Sequence, residues 1–238
     1  MFETAKEGSE LARKSGALYS LVWIDMMLAG SYAFMGDMQK ALSIVEKILA
    51  LDKRTKNVGH LSYAVWALGQ VYYWLGDWDK SLQCLMEARD LAKEIGEYQS
   101  SGNATLTLGE LFMEMEDYVE AEKCLNESTG IYEKAGDTSG QLLELFPALS
   151  KLYLKKGETE KARELIEKTS EHAAKTNNKL LVSNADMLKA MLFREQKNWE
   201  QSMQHFENSL QEAKTLDTQK WLVFQNAEIL YEYALMYQ

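Results

Sequence analysis

Apolar residues recur at helical spacing along the chain. Between the turns Gly36-Asp37 and Gly76-Asp77, one run follows the i, i+3, i+4, i+7 spacing of an amphipathic helix: Ala41, Leu42, Ile44, Val45, Ile48, Leu49 and Leu51. A second run in the same interval ends at Gly76 and comprises Leu61, Val65, Leu68, Tyr72 and Leu75. Glycine suits the left-handed position after a helix, and Asp77 stands where its side chain can cap the next helix. The pattern predicts helix, tight turn, helix and looser turn.

This pattern repeats with a period of about 40 residues. Five aromatic residues recur at separations of 40, 40, 41 and 40, namely Tyr32, Tyr72, Phe112, Tyr153 and Phe193. A small residue precedes each aromatic by three positions: Ala29, Gly69, Gly109, Ser150 and Ala190. Another small residue follows nine positions later: Ala41, Ser81, Ala121, Ala162 and Ser202. Small residues let paired helices approach closely and the aromatic fills the wedge between them, so the period predicts an all-α array of stacked helix hairpins.

The period also sets the predicted repeat boundaries. Five full repeats are expected at 17–56, 57–96, 97–137, 138–177 and 178–217. Residues 1–16 match the second helix of a preceding repeat, and 218–238 match the first helix of a further one. We therefore expect a single solenoid, 1–238, that is a fragment of a longer protein. Within the fourth repeat, Pro147 predicts a late helix start or a kink.

These motifs resemble the tetratricopeptide repeat family. Leu68-Gly69-x-x-Tyr72, followed by Gly76-Asp77 and Ser81, matches the family signature, and the other repeats follow it with Lys189 as one departure. The period is longer than the usual 34 residues and the proline near the end of the second helix is missing. The chain is therefore similar to the long-period arrays of kinesin light chains, polarity adaptors and maltose-type regulators. The resemblance implies an α-solenoid, wound as a right-handed superhelix, that binds other proteins.

Composition and charge limit the classes of molecule that the protein could bind. A net charge of −10 disfavours nucleic acid and anionic membranes, since both attract lysine and arginine. No apolar stretch approaches the roughly 20 residues of a membrane span, and no signal core precedes the repeats. Cys84 and Cys124 occupy equivalent positions in consecutive repeats, too far apart for a disulfide, and fit a reducing compartment. We expect a cytoplasmic protein whose partner is a protein or peptide with an apolar or basic segment.

The sequence predicts no catalytic site, metal or cofactor. His60, His172 and His205 are the only histidines, and no metal-ligand spacing connects them. Phosphate-binding and nucleophile-elbow motifs are missing from the chain. His205 stands at a packing position of a second helix, where a structural role is the commoner one. We therefore predict a protein that is not an enzyme.

Candidate partner-binding residues are those that face inward from the first helices. The resemblance places these helices on the concave face of the array, and aromatic and methionine side chains there suit an apolar segment. The predicted groove residues are Trp23, Met26, Tyr63, Trp66, Gln70, Tyr73, Asn103, Leu106, Glu110, Met113, Lys151, Asn184, Met187 and Arg194. Each could instead pack between neighbouring first helices.

Three functions fit this sequence. The first is an interaction scaffold that binds a peptide or helix in its groove. The second is a sensory or regulatory module of a larger signalling protein, such as an ATPase, a cyclase or a transcription regulator. The third is a spacer or oligomerisation element, with a possible homodimer formed through the uncapped terminal helices.

Overall fold

The chain folds into α-helices throughout the part that the structure describes. The computed structural model describes residues 2–55, 58–136, 145–176, 178–215 and 223–237. These residues contain no strand, as the predicted all-α class requires. Their twelve helices are α1 (Phe2–Ser15), α2 (Leu18–Phe34), α3 (Met38–Thr55), α4 (Val58–Leu75), α5 (Trp78–Ile95), α6 (Tyr98–Glu114), α7 (Tyr118–Ala135), α8 (Phe146–Lys155), α9 (Thr159–Thr176), α10 (Lys179–Glu195), α11 (Trp199–Thr215) and α12 (Val223–Ala234).

Each predicted tight turn is a hydrogen-bonded reversal between two helices. At the turn between α4 and α5, Gly76 adopts a left-handed φ of 76° and the backbone N–H of Asp77 donates to the carbonyl of Tyr72 at 3.0 Å. The Asp77 carboxylate accepts a hydrogen bond from the backbone N–H of Lys80 at 3.4 Å. The turn thus satisfies backbone groups left over from both helices.

Two of the five tight turns place a residue with a side chain in this left-handed position. Gly36 and Gly157 occupy the position in two further turns, with φ of 80° and 74°. Glu116 and Lys197 occupy it in the remaining two, with φ of 61° and 58°. A Cβ atom makes the left-handed conformation unfavourable, so these two turns carry backbone strain that the glycine turns avoid.

The small residues meet where the hairpins of the second and fifth repeats close, as the period predicted. In the second repeat, the hydroxyl of Ser81 donates to the carbonyl of Gly69 at 2.9 Å. In the fifth, the hydroxyl of Ser202 donates to the carbonyl of Ala190 at 2.7 Å. All four residues are buried. Serine is accepted here because a neighbouring carbonyl satisfies its hydroxyl.

Lysine side chains cover three of the periodic aromatic rings, a contact that the period did not reveal. The ammonium groups of Lys40, Lys80 and Lys161 lie 5.3, 5.2 and 5.1 Å from the ring centroids of the tyrosine eight positions earlier in each repeat. Each lysine also pairs with the acidic residue that starts the same helix. The aromatic wedge is therefore held from outside by a cation.

The described residues form two compact units, divided within α6. The first unit spans Met1–Leu111. In it, consecutive helices from α1 to α5 pack in pairs, and α2 also contacts α4. Core clusters of this unit include one around Val22, Ile48 and Ala64 and one around Val65, Ala88 and Ala104, the last supplied by α6.

The second unit spans Phe112–Gln238. Consecutive helices from α8 to α12 pack in pairs, α8 also contacts α10, and α7 contacts α8. Ile166, Leu188 and Phe206 lie in its core, where Ile229 anchors α12. The ring of Phe206 stacks on that of Tyr233 with centroids 5.3 Å apart. Helix α12 therefore packs onto the preceding hairpin through apolar contacts.

The bounds of the described helices fall within the predicted repeats. Helix α1 lies within 1–16, and the pairs α2–α3 and α4–α5 lie within 17–56 and 57–96. Helix α8 begins at Phe146 with Pro147 in its first turn, a position at which proline is common. The start of the fourth repeat, and with it the predicted late start or kink before Pro147, lies outside the described residues, as does the boundary between 178–217 and 218–238. That the repeats form one domain of a longer protein stays a prediction.

Candidate functional site

The first helices of the unit Met1–Leu111 present partly exposed residues at helical spacing. We call this surface the first-helix face; it comprises residues of α2, α4 and α6. Its members recur three, four or seven positions apart, as one side of a helix requires. They are Trp23, Met27 and Gly30 on α2, Trp66, Gln70 and Tyr73 on α4, and Gln99, Asn103 and Glu110 on α6. Met27, with 62% of its surface exposed, is the most exposed large apolar residue among them.

Aromatic rings connect α2 to α4 on this face. The rings of Trp23 and Tyr63 lie 4.9 Å apart between centroids at 57°. Tyr63 in turn meets Trp66 edge to face at 6.4 Å and 75°. Such tilted pairs are favourable because the positive edge of one ring meets the negative face of the other. The rings are therefore held in fixed orientations across two repeats.

Hydrogen bonds connect α4 to α6 in the same way. The hydroxyl of Tyr63 donates to Oε1 of Gln99 at 3.0 Å, and Nε1 of Trp66 donates to the hydroxyl of Thr107 at 3.2 Å. Thr107 donates onward to the carbonyl of Asn103 at 3.0 Å. Both aromatic side chains thus have their polar atoms satisfied, which leaves their rings as apolar contact surface.

These contacts also show that neighbouring first helices keep the repeat register. Trp23 and Tyr63 are 40 positions apart, and Trp66 and Thr107 are 41 apart. Residues one period apart therefore lie at the same height on adjacent helices. One such row runs through Gly30, Gln70 and Glu110.

Three of the predicted groove residues in this unit lie mostly below the surface. Met26, Tyr63 and Leu106 are less than a tenth exposed. Tyr63 reaches the face through its ring edge and hydroxyl, whereas Met26 and Leu106 fill the space between helices. The predicted residues that stay partly exposed are Trp23, Trp66, Gln70, Tyr73, Asn103 and Glu110.

The predicted residues of the second unit are engaged in packing to a larger degree. Met113 and Met187 are buried, and Lys151 and Asn184 are half-buried. A guanidinium nitrogen of Arg194 lies 2.8 Å from a carboxylate oxygen of Glu232 and also donates to the Glu232 carbonyl at 3.0 Å. Arg194 therefore ties α10 to α12. Whether any of these residues contacts a partner stays a prediction.

A buried carboxylate on α2 escaped the sequence reasoning. Asp25 accepts a short hydrogen bond from the hydroxyl of Ser9, and a guanidinium nitrogen of Arg13 lies 3.3 Å from its other oxygen. Ser9 and Arg13 both belong to α1. An isolated acid inside an otherwise apolar run of α2 was the available signal, because a buried charge needs a partner. The cluster fixes α1 against α2.

His205 is held as a packing residue. Its Nδ1 lies 2.9 Å from a carboxylate oxygen of Asp186, and its ring stacks on Phe193 with centroids 5.4 Å apart. Within the described residues, no group of three or more metal-binding side chains lies close enough to hold an ion. No helix in that part of the chain is long and apolar enough to cross a membrane.

The repeated hairpins, closed by buried small residues and tight turns, define an all-α helical-repeat protein. Residues 61–134 and 100–175 match the tetratricopeptide repeat family. Residues 61–175 therefore carry tetratricopeptide-type repeats, as the motifs predicted. Comparison with curated protein sequences gave no match.

Solved structures share the fold at low sequence identity. BtubC (BKLC) from P. vanneervenii is 16% identical, with 91% of this chain and 91% of that chain covered and a TM-score of 0.68. Kinesin-light-chain-like repeats from Podosopora anserina are 18% identical, with 82% and 96% covered and a TM-score of 0.57. A Rap protein complexed with competence and sporulation factor is 15% identical, with 96% and 71% covered and a TM-score of 0.69. At these identities the likeness establishes the fold alone.

Proposed function

We propose that this chain is a protein-interaction scaffold that binds a segment of another protein on the first-helix face of the unit Met1–Leu111. The observation that carries the proposal is the aromatic cluster of Trp23, Tyr63 and Trp66. Its rings are oriented by neighbouring side chains before any partner arrives, so binding costs little side-chain ordering. Large, rigid aromatic surfaces are also the commonest source of binding energy at protein interfaces.

Composition and fold both support a protein partner. The net charge of −10 favours a segment that is apolar or basic over a polyanion. Stacked helix hairpins build an extended surface that suits a chain segment. The Rap protein with the same fold was solved in a complex with competence and sporulation factor. The proposed role requires neither catalysis nor a cofactor.

The test compares the partly exposed Trp66 with the more exposed Trp78. Trp66 lies on the first-helix face, whereas Trp78 begins α5 at a tight turn and is 42% exposed. Proteins captured from a lysate by the wild-type chain should be lost or strongly reduced with Trp66→Ala and retained with Trp78→Ala. Circular dichroism of each variant checks that the helices remain, because Trp66 also supports α6 through Thr107.

Trp66→Phe provides a second check on folding. It keeps a ring on the face but removes the indole N–H, so most of the captured protein should remain bound. Equal capture by the wild type and by folded Trp66→Ala and Tyr63→Ala variants would show that the face is not the binding surface. A spacer role would then be the better account.

A further inference from the structure

Helix α12 is anchored on one side and exposed on another. Ile229 is fully buried, and the ring of Tyr233 stacks on that of Phe206 with centroids 5.3 Å apart. The neighbouring Leu230 and Tyr231 are 54% and 63% exposed. Because the helix is held by its buried side, these two side chains are exposed in a fixed position. The exposed side of α12 is therefore a surface that suits another helix.

Alignment with the internal repeats identifies the helix that this side lacks. Ala234 stands at the small-residue position that Gly69 holds in α4, and the same alignment pairs Ile229 with Ala64. Ile229 and Ala64 are both fully buried, whereas Ala234 is exposed. The helices α12 and α4 are therefore covered alike on one side and differently on the other.

The uncovered side of α12 corresponds to the side of α4 that packs on a second helix. The alignment places Leu230 at the position of Val65, which is only 3% exposed. Val65 shares a core cluster with Ala88 of α5, and an added Cβ at Gly69 would lie 2.8 Å from Leu85 of the same helix. Both positions thus contact α5, the second helix of their hairpin. A second helix is what α12 lacks within the described residues.

Helix α1 shows the complementary feature, because it aligns with the second helices. A hydrogen bond between Ser9 and the buried Asp25 holds it against α2. Leu11 is nevertheless 69% exposed, whereas its equivalent in α5, Leu91, packs against the core cluster that contains Val65. Helix α1 therefore presents an apolar side chain at the place where a second helix normally meets its first helix.

We infer that this chain binds a further copy of itself, with α12 of one copy and α1 of the next forming an intermolecular hairpin. In the register of the internal hairpins, Leu11 of one copy meets Leu230 of the next, and Ala5 meets Ala234. Each leucine is exposed in the single chain and becomes buried in the pair, so apolar burial drives the contact. The inference is independent of the proposed function, because α1 and α12 supply no residue to the first-helix face.

The sizes of the facing residues suit this contact. In the second repeat, the large Leu85 faces Gly69, where an added Cβ would clash with it. In the intermolecular hairpin, the two equivalent residues are both alanines, namely Ala5 and Ala234. The methyl group of Ala234 is accommodated because the side chain that faces it is smaller than leucine.

The charge of the chain opposes the contact only at long range. Helix α1 carries three acidic and three basic side chains, so it is neutral as a whole. The net charge of −10 on each chain makes two copies repel each other at low salt. Added salt screens this repulsion and should therefore strengthen the binding between copies.

Sedimentation velocity at increasing protein concentration tests the inference on the 238-residue chain. The wild type should form assemblies whose size increases with concentration, and more readily at higher salt. Leu11→Lys and Leu230→Lys should each leave the chain monomeric, because each removes one of the two surfaces. Val119→Lys is the matched control, since Val119 is 76% exposed on α7 and the same substitution there should leave association unchanged. Circular dichroism checks that every variant remains helical.

Mixing the two lysine variants separates this contact from one between identical surfaces. Leu11→Lys retains an intact α12 and Leu230→Lys retains an intact α1, so an equal mixture should form dimers although each variant alone stays monomeric. The milder Leu11→Ser and Leu230→Ser should weaken association roughly tenfold or more, and they replace a lysine variant that loses helicity.

Three results would overturn the inference. They are a wild-type chain that stays monomeric at high concentration and high salt, association that survives either lysine variant, and a mixture of the two variants that stays monomeric. None of these results affects the proposed function, which Trp66→Ala tests separately.

Discussion

Replacing Gly69 with alanine puts a methyl group into a close contact between helices α4 and α5. The new Cβ would lie 2.8 and 2.9 Å from Cγ and Cδ2 of Leu85 and 3.2 Å from Cβ of Cys84. Optimal contacts between carbon atoms are about 3.5–4.0 Å. Leu85 is fully buried and cannot swing into solvent. Helices α4 and α5 must therefore separate, which also strains the hydrogen bond from Ser81 to the Gly69 carbonyl.

Two opposing effects set the size of the change. Overpacking a well-packed core costs about 1–3 kcal/mol. Alanine in place of glycine in a helix interior contributes about 1 kcal/mol of stability. Gly69→Ala should therefore lower the free energy of unfolding by about 0–2 kcal/mol. Gly30→Ala provides the reference because its methyl group enters open space, so the variant gains the helix propensity of alanine without a clash. The free energies of unfolding of the two variants should differ by about 1–3 kcal/mol.

Urea unfolding followed by circular dichroism measures both variants, and hydrogen exchange of α4 and α5 amides reports the local effect. The local readout matters because repeat arrays can unfold in stages. A double-mutant cycle with Leu85→Ala isolates the clash, since removing that side chain should make Gly69→Ala less harmful. If Gly69→Ala and Gly30→Ala change stability equally, the small residues of the repeat are not close-packing positions and the account of the hairpin is wrong.

Two further predictions concern the turn strain and a thiol. Lys197→Gly should raise the free energy of unfolding by about 1 kcal/mol, because Lys197 has a φ of 58°, whereas Lys197→Ala keeps its Cβ and should bring no gain; urea titration of the two variants decides. Burial, aided by the nearby carboxylates of Glu87 and Asp77, raises the pKa of Cys84 from 9.0 to about 11. In a Cys124→Ala chain, iodoacetamide should therefore alkylate folded Cys84 about 100-fold more slowly at pH 8 than the urea-unfolded chain, with a rate still rising above pH 9. Levelling of that rate near pH 9 in the folded chain would contradict the shift.

The features that the sequence predicted well depend only on residues of a single hairpin. Gly76 and Asp77 specify a turn through their own backbone and side-chain preferences, and Gly69 and Ser81 meet because the turn between their helices is short. Such contacts join residues about a dozen positions apart. Periodicity is therefore enough to place them, and the backbone hydrogen bond of the tight turn recurs in all five repeats.

Contacts between repeats were harder to predict. Leu106 and Met187 share the register of exposed groove residues, yet both are buried because a neighbouring helix covers that side of their own. Arg194, a predicted groove residue, pairs with Glu232, 38 positions away, which the sequence did not indicate. Successive residues of a helix point about 100° apart, so the period fixes the direction of a side chain only to about that angle. The depth of burial depends on side chains supplied by the next repeat.

Gly30 and Gly69 show how far a residue type can inform about a binding site. On the sequence, both are glycines in the interior of a first helix, but only Gly69 stands at the small-residue position of the repeat, which Ala29 fills in the repeat before. In the structure, Leu85 fills the space beside Gly69, while the space beside Gly30 is open. Close packing therefore explains only one of them, and the unexplained glycine lies on the face that also carries the ordered aromatic rings. Gly30 weakens its helix, and no described contact requires it. Contact with another molecule should therefore be sought first at such a residue.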